Sequence, residues 1–183
     1  PMPDDPAQPK PRRRWLRWLL PLVFGMVAGG LTTSWMQEAT NPKIKEFVKA
    51  YYRRLTDPDP TVRMAAARPW TTWEMSTSRL HTPKDVIESA VTDEFAIKFA
   101  RIECHYFIHG GFFPEDDWIL KRVDRIRHIP AVIVQGRYDV VCPPKSAWDL
   151  YRAWPEARLH LTPDAGHASR EPGNARALVA ATD

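Results

Sequence analysis

Two short loops carry the residues best suited to chemistry. Asp139 closes Gly136-Arg137-Tyr138-Asp139, and His167 closes Asp164-Ala165-Gly166-His167. An imidazole can take a proton from a nucleophile, and a carboxylate can fix its tautomer and stabilise the cation that forms. Each loop follows an apolar run. Residues 129–135 are short, continuous and β-branched, which predicts a strand buried on both faces of a parallel sheet. Residues 158–162 predict a second, weaker strand, and 145–154 between them a helix stopped by Pro155. Strand, helix, strand is a βαβ unit, so both loops open at the carboxyl edge of one sheet. The predicted fold class is α/β. Taken singly, Asp139 reads as a turn residue and His167 as a surface histidine; on adjacent strand ends they read as a pair with a function.

The nucleophile that would complete such a pair is not evident. In the acid-then-histidine order, the serine precedes both on a G-x-S-x-G turn. The serines are Ser34, Ser76, Ser78, Ser89, Ser146 and Ser169, and none lies between glycines in that pattern. Cys142, three residues after Asp139, is placed to line the site rather than to replace the serine, because a Cys–His pair needs its own geometry.

Residues 132–143, from Val132-Ile133-Val134-Gln135 through Gly136-Arg137-Tyr138-Asp139 to Val140-Val141-Cys142-Pro143, resemble the acid loop of the proline iminopeptidases, prolyl aminopeptidases of the α/β-hydrolase fold. Pro163-Asp164-Ala165-Gly166-His167 is similar to their histidine loop. The likeness continues upstream through Ala100-Arg101-Ile102-Glu103-Cys104-His105-Tyr106-Phe107, Gly110-Gly111-Phe112-Phe113, Tyr51-Tyr52-Arg53-Arg54-Leu55-Thr56, Trp73-Glu74 and Thr77-Ser78-Arg79-Leu80. Several motifs in register say more than any one. The resemblance covers residues 45–183 and implies a partial α/β-hydrolase, a helical cap plus the last βαβα of the catalytic domain. It implies a serine exopeptidase that releases proline from peptides with an N-terminal proline, cut short here and inactive alone for want of the G-x-S-x-G serine. In that reading Asp139 and His167 are catalytic, and Glu74, Glu103 and Phe107 bind substrate. The two carboxylates would hold the cationic amino terminus, and Phe107 would wall the prolyl ring. Read without the resemblance, Glu74 caps or decorates a surface helix, Glu103 pairs with Arg101 or a nearby base, and Phe107 is a core aromatic. The other class in play is a non-catalytic remnant or membrane-anchored binding protein, engaging a partner or an amine-bearing peptide through Glu74 and Glu103.

Composition bounds the rest. With 26% charged and 44% hydrophobic residues, the 183-residue chain suits one globular domain. The net charge of +4 is concentrated at Lys10, Arg12, Arg13, Arg14 and Arg17, which argues against a basic nucleic-acid face. Cys104 and Cys142 form no disulfide framework, so a reducing compartment is compatible. Cys104, His105 and His109 hint only weakly at a metal site, with no further ligand spacing to support it; no metal and no cofactor is expected.

The chain divides into four regions. Residues 1–14 are a basic, proline-rich tail, expected to be disordered. Residues 15–35 are mostly apolar, and from Trp18 to Trp35 a helix would span about 27 Å against a hydrocarbon core of about 30 Å. That stretch reads as a membrane anchor, an export signal, or sequence out of its native context, the last being supported by Pro1 standing before Met2, as in a piece of a longer product. The family resemblance implies a cytoplasmic location, the apolar stretch a membrane-anchored or exported one. Residues 41–113 form a cap-like helical region: helices over 41–55, over 61–77 with a kink or split at Pro69, after an N-cap at Thr82 with Pro83 at the first helical position, and over 94–107. Residues 118–183 are the C-terminal part of the hydrolase domain. With only two clear strands, the inner edge of the first would be bare and both faces thinly covered, so the chain is expected to be marginally stable unless another polypeptide, such as the missing N-terminal half of the fold, completes the sheet.

Overall fold

The computed structural model describes residues 42–182. The tail at 1–14 and the apolar segment at 15–35 lie outside the described residues. Among those described, no helix is long and apolar enough to cross a membrane.

Four helices come first: α1 (Pro42–Leu55), α2 (Pro60–Thr77), α3 (Lys84–Ala90) and α4 (Asp93–Ile108). α1 exists because Ile44, Phe47, Val48, Tyr51, Tyr52 and Leu55 recur at helical spacing, and Asp57-Pro58-Asp59-Pro60 ends it. Asp59 then caps α2, its carboxylate accepting from Thr61 N at 2.8 Å, with Pro60 in the first turn, where it has no N–H to waste. Pro69 lies inside α2, which runs on to Thr77 as one helix. The expected Thr82 cap does not form: Pro83 occupies the cap position of α3, which has no side-chain cap bond. Thr92 caps α4 instead, accepting from Phe95 N at 3.3 Å. α1, α2 and α4 bury Leu55, Ala66, Ala67, Trp70, Ala96, Ala100 and Cys104 between them. Four of these seven are alanines, which lets the helix axes approach closely.

After two 3₁₀ stretches the chain forms β1 (Val132–Gly136), α5 (Pro144–Ala153), β2 (Arg158–Thr162) and α6 (Pro172–Ala180). β1 and β2 pair in parallel, Val132 opposite Arg158 and Gly136 opposite Thr162. This is the βαβ unit expected from the sequence, and the described fold is α/β. One expectation is corrected. β1 is not buried on both faces: Val132 to Gln135 are only half-buried and Gly136 alone is enclosed. The sheet has two strands among the described residues, so β1 lacks the second neighbour and the covered faces that its apolar run suits. A second core of Val123, Leu150, Trp154 and Ala157 lies under α5.

Candidate active site

β1 and β2 both end at the site. Past Gly136 the chain turns, and Arg137 N donates to Thr162 O at 2.9 Å while Tyr138 N donates to Ala165 O at 3.0 Å. The two loops are thus stitched together by backbone. A side chain at Gly136 would put Cβ 1.9 Å from Gly166 O and 2.7 Å from Ala165 O, so only glycine admits this approach.

The stitching brings Asp139 and His167 together. His167 Nδ1 lies 3.0 Å from Asp139 Oδ2. Asp139 is 7% exposed, and each of its oxygens is satisfied twice. Oδ1 accepts Val141 N at 3.0 Å and Cys142 N at 2.7 Å, while Oδ2 takes Gln135 Nε2 at 3.1 Å besides the imidazole. Four donors on a buried carboxylate satisfy its oxygens and fix its orientation. Burial lowers the pKa of His167, but the bond to Asp139 and the contact with Cys142 outweigh it and push the imidazole up to about 10. The carboxylate therefore favours the imidazolium, as the acid of a proton-relay pair does. Asp139, Cys142 and His167 offer ligand atoms within 4.8 Å of one another. The carboxylate's lone pairs are already engaged, so a metal there would have to displace the imidazole or Gln135.

Glu74 and Glu103 come from the helical part. Glu74 is on the last turn of α2 and Glu103 on α4, ten residues after its start at Asp93; both are half-buried. They feel each other and His167. Burial raises the pKa of Glu74, with His167 pulling it back. Burial, then the neighbouring Glu74 charge, pushes Glu103 up to about 7, against the opposing effects of a Trp70 hydrogen bond and of His167. Two like charges held in one partly dry place need a cation or a proton. Phe107 is half-buried in the helical core, its ring 6.0 Å from that of Trp70. Trp70, bonded to Glu103, and Phe107 beside it thus make an apolar wall there.

Among the described residues, Cys104, His105 and His109 do not bring three ligand atoms together. The Cys104 thiol is buried, 3.6 Å from Val48 O, and burial followed by the Glu103 charge raises it to about 11. His105 lies 3.4 Å from Tyr52 OH, and His109 Nδ1 is 2.7 Å from His105 O.

Sequence reasoning passed over the residues that hold the site rather than occupy it. Trp70 Nε1 donates to Glu103 Oε2 at 2.7 Å. Gln135 braces Asp139. Glu171 and Asn174, both buried, bond the histidine loop. None belongs to a recognisable local motif; the one available signal was a lone acidic residue four positions past His167.

No family profile matches the chain. Curated relatives do. A protein of Leptolyngbya boryana named "Probable proline iminopeptidase" is 55% identical over 138 residues, 75% of this chain and 43% of its own length. A proline iminopeptidase of Xylella fastidiosa is 53% identical over 138 residues, 75% of this chain and 44% of that protein. One of Arabidopsis thaliana is 50% identical over 143 residues, 78% of this chain and 38% of that protein. Among solved structures, an esterase from Exiguobacterium antarcticum overlays with a TM-score of 0.44 at 15% identity, covering 74% of this chain and 46% of the esterase. The chain spans less than half the length of the curated relatives it matches. Over three quarters of its own length, this chain is related to the proline iminopeptidases.

Proposed function

We propose that this chain carries the proton-handling pair and the amine anchor of a prolyl aminopeptidase, acting on peptides with an N-terminal proline. The observation that carries the reading is that two carboxylates of raised pKa, Glu74 and Glu103, lie within electrostatic reach of an Asp139–His167 pair bonded at 3.0 Å. A peptide's amino terminus is a cation with donors to satisfy, and two acids serve it better than one. Holding that nitrogen at one end fixes how far along the chain the reacting carbonyl falls, which is what makes cleavage remove one residue. His167 in its neutral form takes the proton of a hydroxyl nucleophile and returns it to the leaving amine, and Asp139 stabilises the imidazolium between the two transfers. Trp70 and Phe107 offer an apolar surface to a pyrrolidine ring. The nucleophile is proposed to lie outside these 183 residues, since none of their serines stands in G-x-S-x-G.

That same absence favours a second reading, in which the chain binds amine-bearing peptides without cleaving them. The test is release of the arylamine from a prolyl arylamide by the purified chain and by His167→Ala, alongside calorimetric binding of prolinamide. Prolinamide binding without hydrolysis supports the anchor and leaves the nucleophile to another polypeptide segment. Hydrolysis lost in His167→Ala would place a nucleophile within the chain and sink that part of the proposal. Neither binding nor hydrolysis by folded protein would sink the anchor.

A further inference from the structure

We propose that Glu171 is a positioning residue whose carboxylate sets the spacing between the amine-holding carboxylates and the imidazole of His167. The side chain is 8% exposed, and each oxygen accepts a backbone N–H from a different part of the fold. Oε1 accepts Gly166 N at 2.8 Å, immediately before His167. Oε2 accepts Leu80 N at 3.1 Å, three residues beyond the end of α2. On the other side of His167, Ala168 N donates to Ser78 O at 2.7 Å. Ser78 in turn caps the last turn of α2, its N and Oγ both bonding Glu74 O, at 3.0 and 2.5 Å. Both neighbours of His167 are therefore tied to the segment that leaves the helix bearing Glu74.

The tie is tight as well as bonded. A Cβ on Gly166 would lie 2.9 Å from Leu80 N, 3.2 Å from Arg79 C and 3.2 Å from Glu171 Oε1. Asn174 Nδ2 closes the loop from below, donating to Gly166 O and Ala168 O at 3.1 Å each. A carboxylate accepting two N–H groups makes the stronger, charge-assisted kind of hydrogen bond, and its two oxygens fix both donors in one plane. Among the described residues no other side chain accepts an N–H from both the histidine loop and the segment after α2, so Glu171 links the anchor to the base without touching substrate. The inference rests on the amine-anchor reading for its specificity consequence, though not for the bridge itself. A substrate whose ammonium and carbonyl are one α-carbon apart tolerates little change in that spacing, because small misplacement of a reacting group is expensive.

Glu171→Gln keeps the shape but offers an NH₂ where one N–H must be accepted. The full chain and the variant are compared by amide exchange at Leu80 and Gly166, by the downfield Nδ1 proton of His167, and by the affinity ratio of prolinamide to pyrrolidine. Pyrrolidine needs only the carboxylates; prolinamide also presents the carbonyl. The expected result is faster exchange at those two amides, loss of the sharp His167 proton signal, and a ratio lowered about tenfold with pyrrolidine binding nearly unchanged. A purely structural loss would weaken both ligands alike and overturn the proposal, as would an unchanged ratio. If neither ligand binds the unmodified chain, the amine-anchor reading fails, and the His167 signal and the two amides still decide the bridge. If the variant does not fold, free exchange at Leu80 and Gly166 in the unmodified chain overturns the bridge, and protection there with free exchange in the shorter Glu171→Asp supports it.

Discussion

A histidine that is to accept a proton must be neutral when the substrate arrives, yet in this chain two neighbours draw His167 toward its charged form. Asp139 does so by design, since the imidazolium is what a proton transfer produces. Cys142 does so at rest, and it is the separable contribution. Cys142→Ala is therefore expected to lower the pKa of His167 from about 10, read by NMR titration of the ring, while Asp139→Asn lowers it further. An unchanged midpoint in Cys142→Ala would show that the carboxylate alone carries the shift. Glu103 supplies the complementary expectation. With its pKa near 7, it is half-ionised at neutral pH, and an ammonium ligand prefers it ionised. Prolinamide affinity should thus rise between about pH 6 and pH 8, with a proton released on binding that calorimetry in buffers of different ionisation enthalpy would detect. Glu103→Gln should abolish that pH dependence and weaken binding by about tenfold or more, in line with the loss of a partly buried charge partner. Trp70→Phe should shift the same titration upward by removing a hydrogen bond that lowers the Glu103 pKa.

At the level of elements, the chain's local signals were strong wherever the period was regular. The apolar rows of α1 and α4 at helical spacing, the proline pair that separates α1 from α2, and the β-branched run of β1 each named their element, the two helices to within a residue at each end and β1 with a start three residues early. They failed where the outcome depends on something distant. Thr82 reads as a cap, but the proline beside it takes the cap position. The composition of β1 reads as two-sided burial, and its observed half-exposure reflects a neighbour that a five-residue window cannot supply or withhold. Asp139 and His167 were legible because each closes a loop that follows a strand, so topology alone puts them at one edge. Glu74 and Glu103 were legible only through resemblance, and Trp70 and Glu171 not at all: their bonds cross 33 and 91 residues and leave no periodic trace. The glycines of the two loops make a testable element-scale claim. Gly136→Ala is expected to destabilise the chain by about 2 kcal/mol or more, since its Cβ would meet backbone rather than a movable side chain, and chemical denaturation would measure it.

For the molecule as a whole, the raised groups set the pH dependence of stability. Glu103 moves from an ordinary 4.5 to about 7, so the folded state binds its proton more tightly than the unfolded state does. That contribution is present below about pH 4.5 and lost as the pH rises through about 7. His167 moves from 6.5 to about 10, so its contribution is full below about pH 6.5 and lost as the pH rises through about 10. The two signs agree. Above about pH 5, where the exposed carboxylates with lowered pKa have already ionised, Tm is expected to fall in two stages, by a few degrees in each. Glu103→Gln should remove the lower stage and leave the upper, as scanning calorimetry across that range would show.

The backbone stitching between the two site loops also determines what can be moved from this protein to another. Arg137 and Tyr138 donate across to Thr162 and Ala165, Gly136 lies against Gly166, and Gln135 and Asn174 brace the two ends. Residues 135–142 and 162–174 therefore move together, and with them the segment at Ser78 to Leu80 that ties both neighbours of His167. An engineer who grafts the acid loop without the histidine loop brings a carboxylate whose orientation was set by the piece left behind, and random recombination with a break between the two should succeed only when both parents share the same pair of glycines.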